Sequence, residues 1–256
     1  LNEMQSKFSG KGLTVLGVTD EGAADTEKWI EEKGAKYAYA YDKGGKLARH
    51  FGVRGIPHAV LIHASGTVVW KGHPGELQEG KISSSLQGTF SKPLWEWSPA
   101  AKGVKSALLK RAYKSALDQA AKLGEADGGP EILAAIQGMV SSRAAALKAS
   151  FEKGDFLGAQ GGAQAMQKEF AGLPEADAAS KMIADIAADK NAQTVMKGQQ
   201  KIAKIRAGEN GKQKEIVASI DSLRKIRKEY PGTYVEQEAD DLIAQLNERT
   251  KDGKDM

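Results

Sequence analysis

Cysteine is missing from the chain: none of the 256 residues carries a thiol. Disulfide bonds and thiolate chemistry are therefore excluded within these residues. Long apolar runs are missing too, since no stretch approaches the roughly 18 apolar residues of a membrane-spanning helix. The opening segment LNEMQSKFSGKGLTV shows neither a starting methionine nor the basic, apolar and small-residue order of a signal peptide. We expect Leu1 to be a point inside a longer or processed chain.

A large excess of one charge is also lacking. The 37 Lys and Arg residues outnumber the 33 Asp and Glu residues by a formal charge of only +4. The dense basic stretch at 224–228 lies in a segment whose charges balance, so a solvated helix face explains it better than a nucleic-acid patch. We therefore predict no nucleic-acid partner.

Signatures of several common chemistries are absent as well. The chain contains no phosphate-binding G-x-x-x-x-G-K-[ST] loop, no H-E-x-x-H zinc motif and no G-x-S-x-G nucleophile elbow. Its four histidines crowd into the stretch 50–73, but we expect them to point to different faces of the fold. The sequence therefore predicts no metal site and no cofactor.

The N-terminal third contains alternating strand and helix signals. Apolar runs predict buried strands, and an antiparallel hairpin follows from the Ser-Gly turn between the last two runs. Charged, capped segments between the runs predict helices. The expected order is β-α-β-α-β-β-α, with strands at 13–19, 37–42, 58–63 and 67–72 and helices at 22–34, 45–52 and 76–90.

The rest of the chain is rich in Ala, Lys, Glu and Gln and predicts helices only. Pro93 and Pro99, which disfavour helix, lie between these two regions of different composition. We therefore predict an α/β domain at 1–90, a linker at 91–102 and a helical domain at 103–256. The expected helices lie at 103–124, 130–150, 155–171, 175–206 with a break near Asn191, 211–230 and 233–248.

Two segments of the helical part have similar sequences. The segment QKEFAGLPEADAASKMIADI resembles RKEYPGTYVEQEADDLIAQL, with Phe170 and Tyr230 in matching positions. Two helical hairpins of one design would produce this pattern, each packing an aromatic residue against the next helix. Chance convergence of two amphipathic hairpins is the alternative explanation.

A proline before an apolar strand carries the most specific signal. Over Gly44–Pro74 the chain reads GGKLARHFGVRGIPHAVLIHASGTVVWKGHP, preceded by the strand GLTVLGVT and the segment DTEKWIEEKGAKYAYAYD. This combination resembles the thioredoxin-like superfamily, and most closely its TlpA/ResA-like redoxins. The resemblance covers about a third of the chain and implies an α/β thioredoxin-like domain followed by an all-α hairpin domain.

The resemblance also implies a site. In that family the proline is cis and lies against the redox cysteines, and the residue before it pairs with an extended substrate. Carried onto this chain, the substrate-binding residues are Ile56, Pro57 and His58. An ordinary trans proline before a strand is the alternative for Pro57. His58 either tunes a thiolate electrostatically or forms a plain pocket rim.

One part of the family pattern is absent. The W-C-x-x-C motif and the central strand before it do not occur, so this chain contains no catalytic residue of that kind. That strand normally lies between the strands matching 13–19 and 58–63, and its absence leaves a gap with unpaired edges. An upstream segment is the expected source of the strand, with a partner chain or rearranged pairing as the alternative.

Two functions are therefore predicted. In the first, the protein is a thiol–disulfide oxidoreductase whose cysteines lie upstream of Leu1 and whose substrate is a protein or peptide thiol or disulfide; a peroxidase is a variant of this hypothesis. In the second, it is a cysteine-free binding or scaffold module whose helical domain mediates protein–protein interaction or homo-oligomerisation. The resemblance favours a periplasmic or other extracytoplasmic setting.

Overall fold

The structure of the protein, a computed structural model, comprises two units, Leu1–Ser142 and Arg143–Met256. The residues that it describes are 1–53, 55–64, 66–86, 88–207 and 213–252. The predicted domain limits, with a linker at 91–102, remain a prediction.

The first strand pair is parallel. Strand β1 (Leu16–Thr19) pairs with β2 (Ala38–Tyr41), with Leu16 opposite Ala38. The crossover between them contains helix α2 (Ala23–Lys33). Gly17 on β1 leaves room for the ring of Tyr39, which its own Cβ would otherwise meet. A glycine is required here because the tyrosine ring lies directly over the strand backbone.

The second strand pair is an antiparallel hairpin. Strand β3 (Ala59–Ile62) pairs with β4 (Val68–Gly72), and the register shifts between Leu61 and Ile62. Helix α3 (Lys46–Phe51) precedes the hairpin and α4 (Glu79–Ser84) follows it. Ser65, in the predicted Ser-Gly turn, lies outside the described residues. The predicted β-α-β-α-β-β-α order is confirmed, with shorter strands than expected.

The two strand pairs remain separate. Within the described residues, β1 pairs only with β2 and β3 only with β4, so each strand has one edge without a strand partner. Apolar side chains stay about half-exposed along these strands, namely Leu16, Val18 and Ile62. This separation agrees with the predicted strand gap between β1 and β3.

Helices make up the remainder, so the predicted fold class, an α/β region followed by a helical region, is confirmed. The predicted helix at 103–124 is wrong as a single helix, because Arg111 adopts a φ of 56° and separates two shorter helices. The predicted break near Asn191 occurs at Asp189. The other helices are α1 (Asn2–Phe8), α5 (Lys102–Leu109), α6 (Tyr113–Ala120), α7 (Gly129–Glu152), α8 (Phe156–Glu169), α9 (Pro174–Ala188), α10 (Lys190–Ala207), α11 (Gln213–Glu229) and α12 (Tyr234–Asp252).

Two helical hairpins, α8–α9 and α11–α12, dominate the second unit. Each has a buried aromatic residue just after its first helix, Phe170 or Tyr230. A cation lies over each ring: the Arg143 guanidinium carbon is 5.0 Å from the Phe170 centroid, and Lys201 Nζ is 5.3 Å from the Tyr230 centroid. Such contacts add cation–π attraction to apolar burial. The interpretation of the hairpins as a repeat stays a prediction.

Candidate functional site

Asp42 anchors the segment that leads to the candidate site. Its side chain lies just after β2 and is only 5% exposed. The Leu47 N–H donates to both carboxylate oxygens at 3.0 Å, and the Ala48 N–H donates to Oδ2 at 3.1 Å. These backbone hydrogen bonds, the one from Leu47 above all, lower the pKa of the Asp42 carboxyl. Asp42 therefore ties the first turn of α3 to the end of the parallel strand pair.

Helix α3 ends sharply before the candidate site. Gly52 adopts a φ of 70°, a left-handed conformation that glycine reaches without steric cost. The Val53 N–H then donates to the Ala48 carbonyl at 2.8 Å, which closes the last turn. The chain is thereby directed from α3 into the loop before β3. Arg54, in the motif GVRGIP, lies outside the described residues.

The predicted substrate-binding residues occupy the end of this loop, directly before β3. The peptide bond between Ile56 and Pro57 is cis. The Ile56 side chain is 92% exposed, and Pro57 is exposed beside it. A large apolar side chain at this exposure contributes almost nothing to the core, so it is available for contact with another molecule. The assignment of Ile56 and Pro57 to substrate binding stays a prediction.

His58 differs from its two neighbours because it is partly buried. Its Nε2 atom is shielded from solvent and has no hydrogen-bond partner within the described part of the chain. A buried ring nitrogen without a partner is unfavourable, since water that would hydrate it has been removed. In the candidate site, Nε2 of His58 is therefore able to form a hydrogen bond with a further group.

The other histidines lie at different places. His50 is exposed on α3, and His73 accepts a hydrogen bond from the Gly75 N–H at 3.1 Å through Nδ1. His63 lines an open polar pocket in the first unit. The pocket residues are His63, Ser84, Gly88, Gly138, Ser141 and Ser142. Among the described residues, no three His, Asp or Glu side chains are grouped so that they could hold a metal ion.

A second group of interacting polar side chains lies within the helical unit. This polar node consists of Asp155, Gln199, Arg206 and Glu238. Gln199 on α10 is 2% exposed; its Nε2 donates to Asp155 Oδ1 at 2.7 Å and its Oε1 accepts from the Leu157 N–H at 3.0 Å. Nearby, burial raises the pKa of the Glu238 carboxyl, and repulsion from Asp155 adds to this shift. The Arg206 guanidinium, 3.4 Å from Glu238 Oε1, opposes the shift. This node connects α8, α10 and α12.

Sequence reasoning missed Asp42 and Gln199. For Asp42 a signal was present, because the pattern D-K-G-G-K places an acidic residue and two glycines before an amphipathic helix. Gln199 had no such signal: it lies in a run of polar residues next to Gln200, which is exposed. Only the packing of α10 against α8 distinguishes the two glutamines.

Comparison with known proteins finds relatives for the N-terminal part of the first unit. Residues 1–71 match the AhpC/TSA family, so this part of the chain carries a redoxin domain. The thiol-disulfide oxidoreductases ResA of Bacillus thuringiensis strain Al Hakam and of Bacillus anthracis are each 31% identical over 70 residues, and that of Bacillus cereus strain ATCC 10987 / NRS 248 is 29% identical. The matched segments cover 27% of this chain and 40% of each relative.

The predicted resemblance to redoxins is thereby confirmed for residues 1–71, and the chain spans about 40% of the length of the curated relatives it matches. No solved structure matches the chain. In the described parts of the chain, no helix combines the length and the apolar character needed to cross a bilayer.

Proposed function

We propose that the protein is a thiol–disulfide oxidoreductase of the TlpA-like redoxin type, whose two catalytic cysteines lie upstream of Leu1. The observation that carries the proposal is the redoxin match over residues 1–71 to relatives named as thiol-disulfide oxidoreductases. The match leaves 60% of each relative's length uncovered, and the uncovered part is long enough to contain a dithiol segment.

The open strand edges support the same proposal. A strand inserted between β1 and β3 would pair with both edges and cover the half-exposed side chains of Leu16, Val18 and Ile62. Burying an aliphatic side chain completely contributes about 1.5–3 kcal/mol, so three half-exposed ones supply roughly 2–4 kcal/mol of gross stabilisation. The segment that brings the cysteines would thus also complete the sheet.

The proposed reaction is thiol–disulfide exchange. A thiolate of the upstream dithiol attacks one sulfur of a protein or peptide disulfide, forms a mixed disulfide and releases the first substrate thiolate, which takes up a proton. The second cysteine thiolate then attacks the mixed disulfide and releases the second substrate thiol. Two electrons and two protons pass to the substrate, and the dithiol becomes a disulfide that an external dithiol such as dithiothreitol can reduce again.

In this proposal Ile56, Pro57 and His58 bind the substrate. The backbone of Ile56 pairs with an extended segment, and its side chain contacts an apolar residue of that segment. The 92% exposure of Ile56 supports this role, because the side chain has almost no other contacts. Exchange chemistry needs no metal or organic cofactor, and we assign the protein to the periplasm or another extracytoplasmic space.

The test begins with the native protein. Its intact mass and N-terminal peptides should show a C-x-x-C sequence before Leu1, and the native protein should reduce insulin while residues 1–256 alone should not. A native chain without upstream cysteines, or dithiol activity from residues 1–256, would contradict the proposal.

Ile56→Asp in the native protein tests the substrate-binding site. We expect kcat/KM for insulin to fall about tenfold or more, because an apolar contact worth 1.5–3 kcal/mol is lost. The matched control is Val217→Asp, which changes another exposed β-branched residue in the second unit. Equal kcat/KM values for the two variants would show that Ile56 does not bind the substrate.

The second candidate function is a cysteine-free binding module. The exposed Ile56 beside an open strand edge favours it, since strand edges capture extended peptides through backbone hydrogen bonds. The hairpins α8–α9 and α11–α12 would then act as a docking or homo-oligomerisation domain. This candidate prevails if the native protein lacks cysteine but binds an extended apolar peptide, with Ile56→Asp weakening the binding.

A further inference from the structure

We infer that the Nε2 atom of His58 is the hydrogen-bond donor for a thiolate in the redoxin site. The inference rests on the proposed oxidoreductase function and assigns His58 a specific part in it. It chooses between the two roles that the sequence left open, thiolate tuning and a plain pocket rim.

Burial is the first support. The Nε2 atom is shielded from solvent and has no hydrogen-bond partner within the described part of the chain. Native proteins pair nearly all buried polar atoms, so an unpaired one calls for a group that is absent from its surroundings. Several other polar atoms that hold the loop in place, such as the Asp42 carboxylate oxygens, do have partners. The structure thus satisfies the Asp42 carboxylate but leaves the His58 nitrogen without a partner.

Position is the second support. His58 follows Pro57 directly and precedes the first residue of β3, whose free edge faces no strand among the described residues. If Ile56 and Pro57 hold the substrate, the attacked disulfide lies beside them. The anions of the exchange reaction, first the attacking thiolate and then the released one, therefore form within reach of the neighbouring residue.

Chemistry selects the thiolate as the partner. An imidazole N–H donates a hydrogen bond, and an imidazolium also supplies a positive charge, so both forms favour a thiolate over a thiol. The attacking cysteine then has a lowered pKa and a larger thiolate fraction near neutral pH. The hydrogen bond also stabilises the leaving thiolate, which speeds the second step. No electron passes through the imidazole.

The experiment compares three variants of the native protein with its dithiol reduced: His58→Phe, His58→Asn and His50→Asn. The rate of iodoacetamide alkylation against pH reports the pKa of the attacking thiol. We expect His58→Phe to raise that pKa by about one unit, which lowers alkylation below the pKa about tenfold. His58→Asn keeps a neutral hydrogen-bond donor at this position, so it should raise the thiol pKa less than His58→Phe does. His50→Asn, an exposed imidazole on the preceding helix, should match the wild type.

A second readout follows the imidazole itself. In NMR spectra recorded at one pH, the ring nitrogen signals of His58 should differ between the reduced and the oxidised protein, because only the reduced form offers a thiolate to its Nε2. The other three histidines should not respond. This measurement needs no substitution, so it stands even if His58→Phe does not fold.

The outcomes separate the two proposals. If the native protein contains no dithiol, both are overturned. If the protein reduces insulin, but the thiol pKa does not respond to His58→Phe and the His58 ring signals do not respond to reduction, the oxidoreductase function stands and the His58 inference is wrong. Variants that change only the melting temperature would likewise leave His58 with a purely structural role.

Discussion

Replacement of Gln199 by Ala should destabilise the helical unit markedly. Leu157 is the second residue of α8, so its N–H has no partner inside the helix, and Gln199 Oε1 supplies one at 3.0 Å. The Gln199 amide also donates to the Asp155 carboxylate at 2.7 Å. A neutral hydrogen bond contributes about 0.5–1.5 kcal/mol and one to a charged group about 1.5–3, so we expect a loss of roughly 2–4 kcal/mol.

Gln200→Ala is the matched control. It makes the same chemical change one residue further along α10, but on an exposed side chain. The difference in helix propensity between Gln and Ala is shared by both variants and cancels in the comparison. Urea unfolding followed by circular dichroism at 222 nm measures the free energies, and hydrogen exchange at the Leu157 amide reports the local loss. Stabilities within about 0.5 kcal/mol of each other would refute the reasoning.

Two pH-dependent predictions concern carboxylates. Asp42 has a lowered pKa in the folded protein, so its contribution to stability is present above its ordinary pKa of about 3.9 and is lost as the pH falls through the folded value. Asp42→Asn should therefore have a lower melting temperature than the wild type at pH 7, and the two proteins should melt together at pH 2; a difference that persists at pH 2 would argue against this origin of the effect. Glu238 has a raised pKa, so its contribution is present below about 4.3 and is lost as the pH rises through the folded value. Glu238→Gln should gain in thermal stability over the wild type at pH 8 and lose that gain at pH 4; a gain independent of pH would contradict the assignment.

The sequence predicts the order of elements well because apolar periodicity dominates in short strands and amphipathic helices. The hairpin of β3 and β4 follows from two apolar runs and a turn. The prediction of a single helix at 103–124 was wrong, because Arg111 adopts a left-handed conformation and divides the segment into two helices. Arginine has no preference for this conformation, so the sequence did not indicate it. Such a conformation depends on the packing of α5 against α6, which a local pattern does not contain.

The candidate site was predictable only in part. Pro57 and Ile56 stand out because a proline before an apolar strand is an unusual local pattern. The anchoring carboxylate of Asp42 and the unpaired nitrogen of His58 depend on which groups surround them after folding. His58 and His63 bracket the same strand and look alike in sequence. His58 has a buried ring nitrogen without a hydrogen-bond partner, and this property arises only in the assembled loop.

The two helical hairpins have a consequence for how the chain acquires its structure. Contacts between α8 and α9, and between α11 and α12, join residues that are close in sequence, so little loop entropy opposes their formation. The parallel pairing of Leu16 with Ala38 joins residues that the whole crossover through α2 separates. We expect the hairpins to assemble on a microsecond to millisecond scale and the strand pairs to lag behind. During synthesis, the two hairpins leave the ribosome after the strand pairs and would nevertheless fold faster than they do.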